Sequence, residues 1–314
     1  MDKERLRLLV KICHLYYQDG MNQQQIASRY GISRSQVSRY LAVAKTEGIV
    51  EITIRNPFSD ESVLENKLMQ QYNLRDVIVV DTTDADDALA DMLMGKAAAA
   101  FFENAIKEKD VVGVMAGKSI TALAREVSDP QKSHIHFVPL VGGWGSEGTE
   151  WHSNINSSLL AKNTKNSYSV LHAPAVVRSE EAKKTLLQEP EIAKLIAFYS
   201  RVNVALVGIG QISKEATHVK STNMTDEELL ALEKDGVVAS IATTFIDAEG
   251  KQVNTSFSER MIGISGLDLK EVPLVLGVAR GEVKAKGIEA ALKGGWLDVL
   301  VTDMETAKII IEES

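Results

Sequence analysis

The stretch "VVGVMAGKSI", residues 111–120, sets Gly117, Lys118 and Ser119 directly behind an apolar run. A glycine turn that opens a helix aims free backbone N–H groups and the positive end of the helix dipole at one spot. A lysine and a hydroxyl beside it add charge and a further donor. That is chemistry for holding a phosphate or another small polar group. It is not the phosphate loop of a nucleoside triphosphatase, because G-x-x-x-x-G-K-[ST] needs a glycine where the chain has Val112, and Gly113 comes one residue late. The same residues also fit a tight strand-to-helix turn that binds nothing.

Other apolar runs end in a similar way. Gly142 and Gly143 follow "VPLV", Gly208 and Gly210 follow "VALV", Asp247 follows "TTFI", and Arg280, Gly281 and Lys284 follow "GVA". Each glycine pair alone is weak, but convergence at one sheet edge makes a pocket. Gly208-Ile209-Gly210 is no dinucleotide fingerprint, since the third glycine position holds Ser213. The tryptophans of "GGWGSEGTEWHSN" and "KGGWLDV" could stack on a sugar, though packing suits them better. His134, His136 and His152 lack partners at metal-ligand spacing, and there is no nucleophile elbow or Cys–His arrangement. No metal and no cofactor are expected.

A second constellation lies near the amino terminus, in "QQIASRYGISRSQVSRYLAVAKTEGIVEITI". Two short helices packed across a tight turn want a small residue at their contact, a glycine in the turn and an apolar anchor in the second helix. Ala27, Gly31 and Val37 stand at those places, with Ser33 suited to cap the second helix. Arg34, Ser35, Gln36, Ser38 and Arg39 are left on the outer face. Arginine and glutamine can read base edges in the major groove, and serines can contact phosphates. Arg34, Gln36 and Arg39 are the expected base readers. The alternation from Ile49 to Arg55 predicts a β-wing, with Lys45 and Arg55 placed to touch the DNA backbone.

These elements set the organisation. Residues 1–58 carry nine Lys/Arg against five Asp/Glu, about +4 in a chain whose total is −8, so a basic module is joined to an acidic body of about −12. The proline and turn formers of "NPFSDES" mark a boundary. The reading is a helix-turn-helix domain over 1–55, a linker and connecting helix over 56–73, and a larger domain over 74–314. In the larger domain continuous apolar strands alternate with helical periods. That predicts an α/β fold with a largely parallel, Rossmann-like sheet, whose ligands bind at the carboxyl ends of its strands. One cysteine, Cys13, leaves no disulfide framework. No apolar run reaches the roughly 18 residues of a membrane span, and "MDKERLRLLV" lacks signal-peptide zoning, so a cytoplasmic protein without membrane contact is expected.

Taken in order, the helix-turn-helix, "VGVMAGKSI", "PLVGGWG", "LHAPAVV", "VALVGIGQI", "FIDAEG", "RMIGIS" and "KAKGIEAALKGGWLDVLVTDMETAKIII" resemble the SorC/DeoR-type sugar-responsive bacterial transcriptional regulators over almost the whole chain. The resemblance implies a carboxyl-terminal domain similar to sugar-phosphate isomerases and deaminases, used for effector binding and oligomerisation without catalysis. It implies double-stranded operator DNA and a sugar or sugar phosphate as partners, and a dimer or tetramer. Gly117, Lys118 and Ser119 would hold a phosphate or sugar oxygens, Gly142, Gly143, Gly208 and Gly210 would line the pocket, and Asp247, Arg260 and Lys284 would lie near the ligand. Many members carry Trp-Gly-Arg-Thr where this chain has Ala116-Gly117-Lys118-Ser119, and Asn-Asp-Arg where it has Ser258-Glu259-Arg260. A sugar-phosphate isomerase or deaminase with a DNA-binding appendage is the alternative.

Overall fold

The structure, a computed structural model, describes residues 3–50, 59–128, 131–145, 149–214, 216, 219 and 224–312. The chain divides into two units, Met1–Pro57 and Phe58–Ser314.

The first unit is three helices: α1 (Lys3–Tyr17), α2 (Gln23–Tyr30) and α3 (Arg34–Thr46). Capping explains their limits. Asn22 accepts from the Gln25 N–H while the Gln25 side chain accepts from the Asn22 N–H. Ser33 and Gln36 form the same reciprocal pair at the start of α3. Between them Gly31 turns the chain at φ 65°, the left-handed conformation that ends a helix cheaply only in glycine. Ile26, Ala27, Val37, Leu41 and Ala44 close on Leu9, Ile12 and Cys13 of α1 to make the unit's core. Burial pushes the Cys13 thiol pKa up. The expected wing beyond Val50 lies outside the described residues.

The second unit runs α4 (Ser59–Tyr72), β1 (Asp76–Val80), α5 (Asp87–Ala105), β2 (Val111–Val114), α6 (Lys118–Glu126), β3 (His136–Pro139), α7 (Ser153–Thr164), β4 (Ser167–Tyr168), α8 (Glu180–Gln188), α9 (Pro190–Phe198), β5 (Val204–Val207), β6 (Gly210–Gln211), α10 (Asp226–Lys234), β7 (Ala239–Ile241), β8 (Thr244–Ile246), β9 (Gln252–Val253), α11 (Gly266–Lys270), β10 (Leu274–Val278), α12 (Glu282–Lys293), β11 (Val299–Asp303) and α13 (Met304–Glu312). Seven strands form one parallel sheet in the order β1-β11-β10-β5-β2-β3-β4. Alternate residues of each strand enter two different cores. Val204 and Leu206 pack with Phe102, Ile120 and Leu123 of α5 and α6 on one face. Ala205 and Val207 pack with Ile288 and Ile310 of α12 and α13 on the other. Both faces are covered, as continuous apolar strands require.

The helix expected to connect the two modules, α4, belongs to this unit: Leu64 and Leu68 sit in its core, and Glu65 accepts the Val79 N–H at 3.0 Å. Two other expectations change. "VVASIATTFID" is not a strand of the parallel sheet but the β7–β8 hairpin, part of an antiparallel sheet ordered β6-β7-β8-β9. "SVLHAPAVV" is irregular, tied down by single bridges from Pro174 to Gly143 and from Val176 to Met261.

Candidate functional site

In the first unit, Arg34, Ser35, Gln36, Ser38, Arg39 and Lys45 are all exposed, while Val37, Leu41 and Ala44 of the same helix are buried. Arg34 stands at the positive end of the helix. Gln36 has a second task. Its Oε1 accepts the Ser33 N–H at 2.9 Å, so the amide cannot offer both of its ends to an adenine while the cap holds. Ser35 Oγ lies 2.8 Å from Ser33 Oγ. Arg34 and Arg39 are exposed, and Gln36 caps the start of the helix that carries them.

In the second unit the strand order decides where a ligand can sit. From β2 the chain crosses towards β3, and β5, its neighbour on the other side, is followed across the sheet by β10. The gap at the carboxyl ends of β2 and β5 is the switch point at which open α/β sheets bind ligands. A cavity of about 190 Å³ opens there, larger than the roughly 150 Å³ that admits a benzene ring. Gly117, Lys118 and Ser119 line it at the start of α6, Gly208 and Gly210 at the passage from β5 to β6, and Lys284 from α12.

The sequence makes this rim electropositive. Gly117 and Gly281 are the residues before α6 and α12, at φ 130° and 105°, which L side chains adopt only under strain, and neither has a side-chain cap. The first-turn N–H groups of α6 are not consumed within the helix and face the same rim as its dipole. Lys118 is exposed, with Nζ 5.2 Å from the centre of the Trp151 ring. Lys284 is half-buried, and desolvation, reinforced by the charges of Arg280 and Lys118, pushes its pKa down against the opposing pull of Asp91. Arg280 itself turns to α5, with its guanidinium 3.1 Å from Asp87 and 2.9 Å from Asp91.

The remaining expected site residues lie elsewhere. Gly142 is a packing glycine: a Cβ there would meet the Pro174 carbonyl at 2.5 Å. Gly143 exchanges backbone hydrogen bonds with the 173–175 segment, its N–H donating to the Ala173 carbonyl and its carbonyl accepting the Ala175 N–H, and it does not line the cavity. Asp247 closes the β8–β9 turn by accepting the N–H groups of Glu249 and Lys251 at 3.0 and 2.8 Å, because the segment before it is a hairpin and not a sheet-edge strand. Arg260 is held by Glu228 at 2.5 Å and lies over the Phe257 ring. Neither Asp247 nor Arg260 reaches the cavity lining.

Other residues complete the cavity: Trp144, Trp151, His152, Gln211 and Ser240. Trp151 fixes the rim, since its carbonyl accepts the Gly117 N–H at 2.8 Å. Asn156 ties the same region together, donating to the Met115 carbonyl at 3.1 Å while its Oδ1 accepts the Thr121 hydroxyl at 2.8 Å. The polar setting of Trp144 and Trp151 was the available signal. Trp296 instead packs in the core and donates to the Gly250 carbonyl at 2.7 Å. Ser240 gave no signal, because its position depends on the hairpin. Among the described residues no group of three His, Cys, Asp or Glu is placed to hold a metal, and no helix is long and apolar enough to cross a membrane.

Residues 56–312 match the family described as "Putative sugar-binding domain", and residues 1–50 match the homeodomain-like domain family. The deoxyribonucleoside regulator of Bacillus subtilis is 29% identical over all of both chains, and the sorbitol operon regulator of Klebsiella pneumoniae is 28% identical over 99% of each. The transcriptional regulator LsrR of Escherichia coli is 31% identical over 96% of this chain and 94% of its own. The crystal structure of the full-length Klebsiella pneumoniae sorbitol operon regulator superposes with a TM-score of 0.77, covering 99% of both chains. A helix-turn-helix unit with exposed polar residues on its second helix, a doubly covered parallel sheet with a cavity at its switch point, and these full-length likenesses converge: the chain belongs to the SorC/DeoR-type family of sugar-responsive transcriptional regulators.

Proposed function

We propose that the cavity binds a small sugar or polyol monophosphate, and that this ligand controls the affinity of the α3 surface for an operator serving a carbohydrate-metabolism operon. The observation that carries the reading is the rim over β2 and β5. There an uncapped helix start, Lys118 and Lys284 converge on one cavity. Such a rim suits a compact dianion, and the polar and aromatic walls suit a hydroxylated carbon chain. Arg34 and Arg39 read bases, while Ser35, Ser38 and Lys45 hold the phosphate backbone. Binding without turnover is the reading supported by the full-length likeness to transcriptional regulators. The protein acts on chromosomal DNA in the cytoplasm as a dimer or tetramer.

The test has two stages. Duplexes selected from a random pool by the full chain define its operator, and a panel of pentose and hexose monophosphates is then scored for thermal stabilisation and for altered operator affinity. The reading expects at least one sugar phosphate to do both. Turnover of a sugar phosphate by the protein would favour the enzyme alternative.

A further inference from the structure

Two polar side chains in the cavity wall have unmet hydrogen-bonding capacity. Gln211 donates from Nε2 to Ser213 Oγ at 2.9 Å, which orients its amide, while Oε1 is buried with no partner among the described residues. His152, at the start of α7, makes no capping bond with its side chain, and its Nε2 is also buried and unpartnered among them. Both residues line the same cavity as Lys118 and Lys284. A buried polar atom without a partner costs stability, so such atoms are scarce in folded proteins, and two in one ligand cavity call for an explanation. They are not products of loose packing. Gln211 is fixed by pairing of its backbone with Ala239 in the antiparallel sheet, and the His152 carbonyl accepts the Asn156 N–H at 2.9 Å at the start of α7.

We infer that Gln211 and His152 are the specificity-determining residues of this cavity, selecting a monophosphate that carries several free hydroxyl groups over a phosphate with few or none. The inference rests on the proposed phosphate-binding role of the rim. Gln211 Oε1 only accepts hydrogen bonds, so it demands a donor, which a hydroxyl supplies and a carbonyl or deoxy carbon does not. His152 Nε2 donates or accepts according to tautomer and suits a second hydroxyl in either form; both atoms are covered in the ligand-free chain, so each meets its hydroxyl by a turn of its side chain as the ligand binds. The lysines hold the phosphate that all such ligands share, and these two residues distinguish the carbon chains attached to it.

The experiment is calorimetric titration of the full chain, and of Gln211→Leu and His152→Phe, with inorganic phosphate, glycerol 3-phosphate, and a set of pentose, hexose and hexitol monophosphates. In the parent protein at least one of the longer compounds should bind about tenfold or more tightly than glycerol 3-phosphate. Each substitution should cut that preference about tenfold and leave inorganic phosphate binding unchanged. The ligand-free His152→Phe protein should melt no lower than the parent, because Phe removes an unmet polar atom at similar volume, whereas Gln211→Leu also loses the bond to Ser213 and is judged by its ligand preference alone. Equal binding of glycerol 3-phosphate and all longer compounds, or a preference that survives both substitutions, overturns the inference while leaving phosphate binding intact. Failure of every compound, inorganic phosphate included, overturns the reading of the rim and the inference with it.

Discussion

Lys118 and Lys284 carry the positive charge of the cavity in different surroundings, and pH separates them. Lys118 is exposed, whereas burial pushes the Lys284 ammonium below the usual lysine range. Between the lowered folded value and the ordinary one the unfolded chain binds the extra proton, so the contribution of Lys284 to stability rises with pH across that window. Below it the ligand-free protein bears the cost of a desolvated charge. An anion in the cavity reverses this by favouring the charged form. Effector affinity should therefore weaken as pH rises through the lowered Lys284 value, before ordinary lysines titrate, and Lys284→Gln should remove that dependence in calorimetric titrations. On α3, Arg39→Ala should cost roughly 1–3 kcal/mol on the selected operator and relax base preference, and Lys45→Ala should weaken all sequences alike and lessen the salt dependence. Gln36→Ala should instead lower thermal stability by about 1 kcal/mol through the lost cap. The place of Gly117, Lys118, Ser119, Gly208, Gly210 and Lys284 around one cavity was legible in sequence because each lies just behind an apolar run. Asp247 and Arg260 were not, since their neighbours in space decide their roles: Asp247 serves a hairpin turn, and Arg260 has Glu228 as its partner.

At the scale of elements, the legible parts are those governed by local rules. The period of Ile26, Ala27, Val37 and Leu41 with Gly31 between predicts α2 and α3, and the apolar runs of β1, β2, β3, β5, β10 and β11 predict the parallel sheet. The run Val237–Asp247 misleads because a strand buried on both faces and a buried hairpin share one composition; Ala242, at φ 52°, is the turn that separates them. The loop before α6 shows how backbone and chemistry join. Gly117 at φ 130° lets the chain aim the first turn of α6 into the cavity. Gly117→Ala should cost about 1–3 kcal/mol in urea denaturation, as a side chain forced into a glycine-only conformation does, and should weaken phosphate binding as well. A variant that kept full stability would show that the turn carries no such constraint.

For the whole molecule, one helix-turn-helix covers one half-site, and genome-wide specificity normally needs two about one helical turn apart. Light scattering should find a dimer or tetramer, and a monomer at every concentration with operator present would contradict that assembly. The central claim is that cavity and recognition surface are coupled, and coupling between binding sites is reciprocal. The most direct measurement is a pair of titrations on the full-length protein: operator affinity with and without saturating sugar phosphate, and sugar-phosphate affinity with and without saturating operator. The account predicts the same factor, larger than one, in both directions, with Lys118→Ala and Lys284→Ala losing the response while ligand-free operator binding stays nearly intact. A sugar phosphate that binds the cavity tightly and leaves operator affinity unchanged would contradict it.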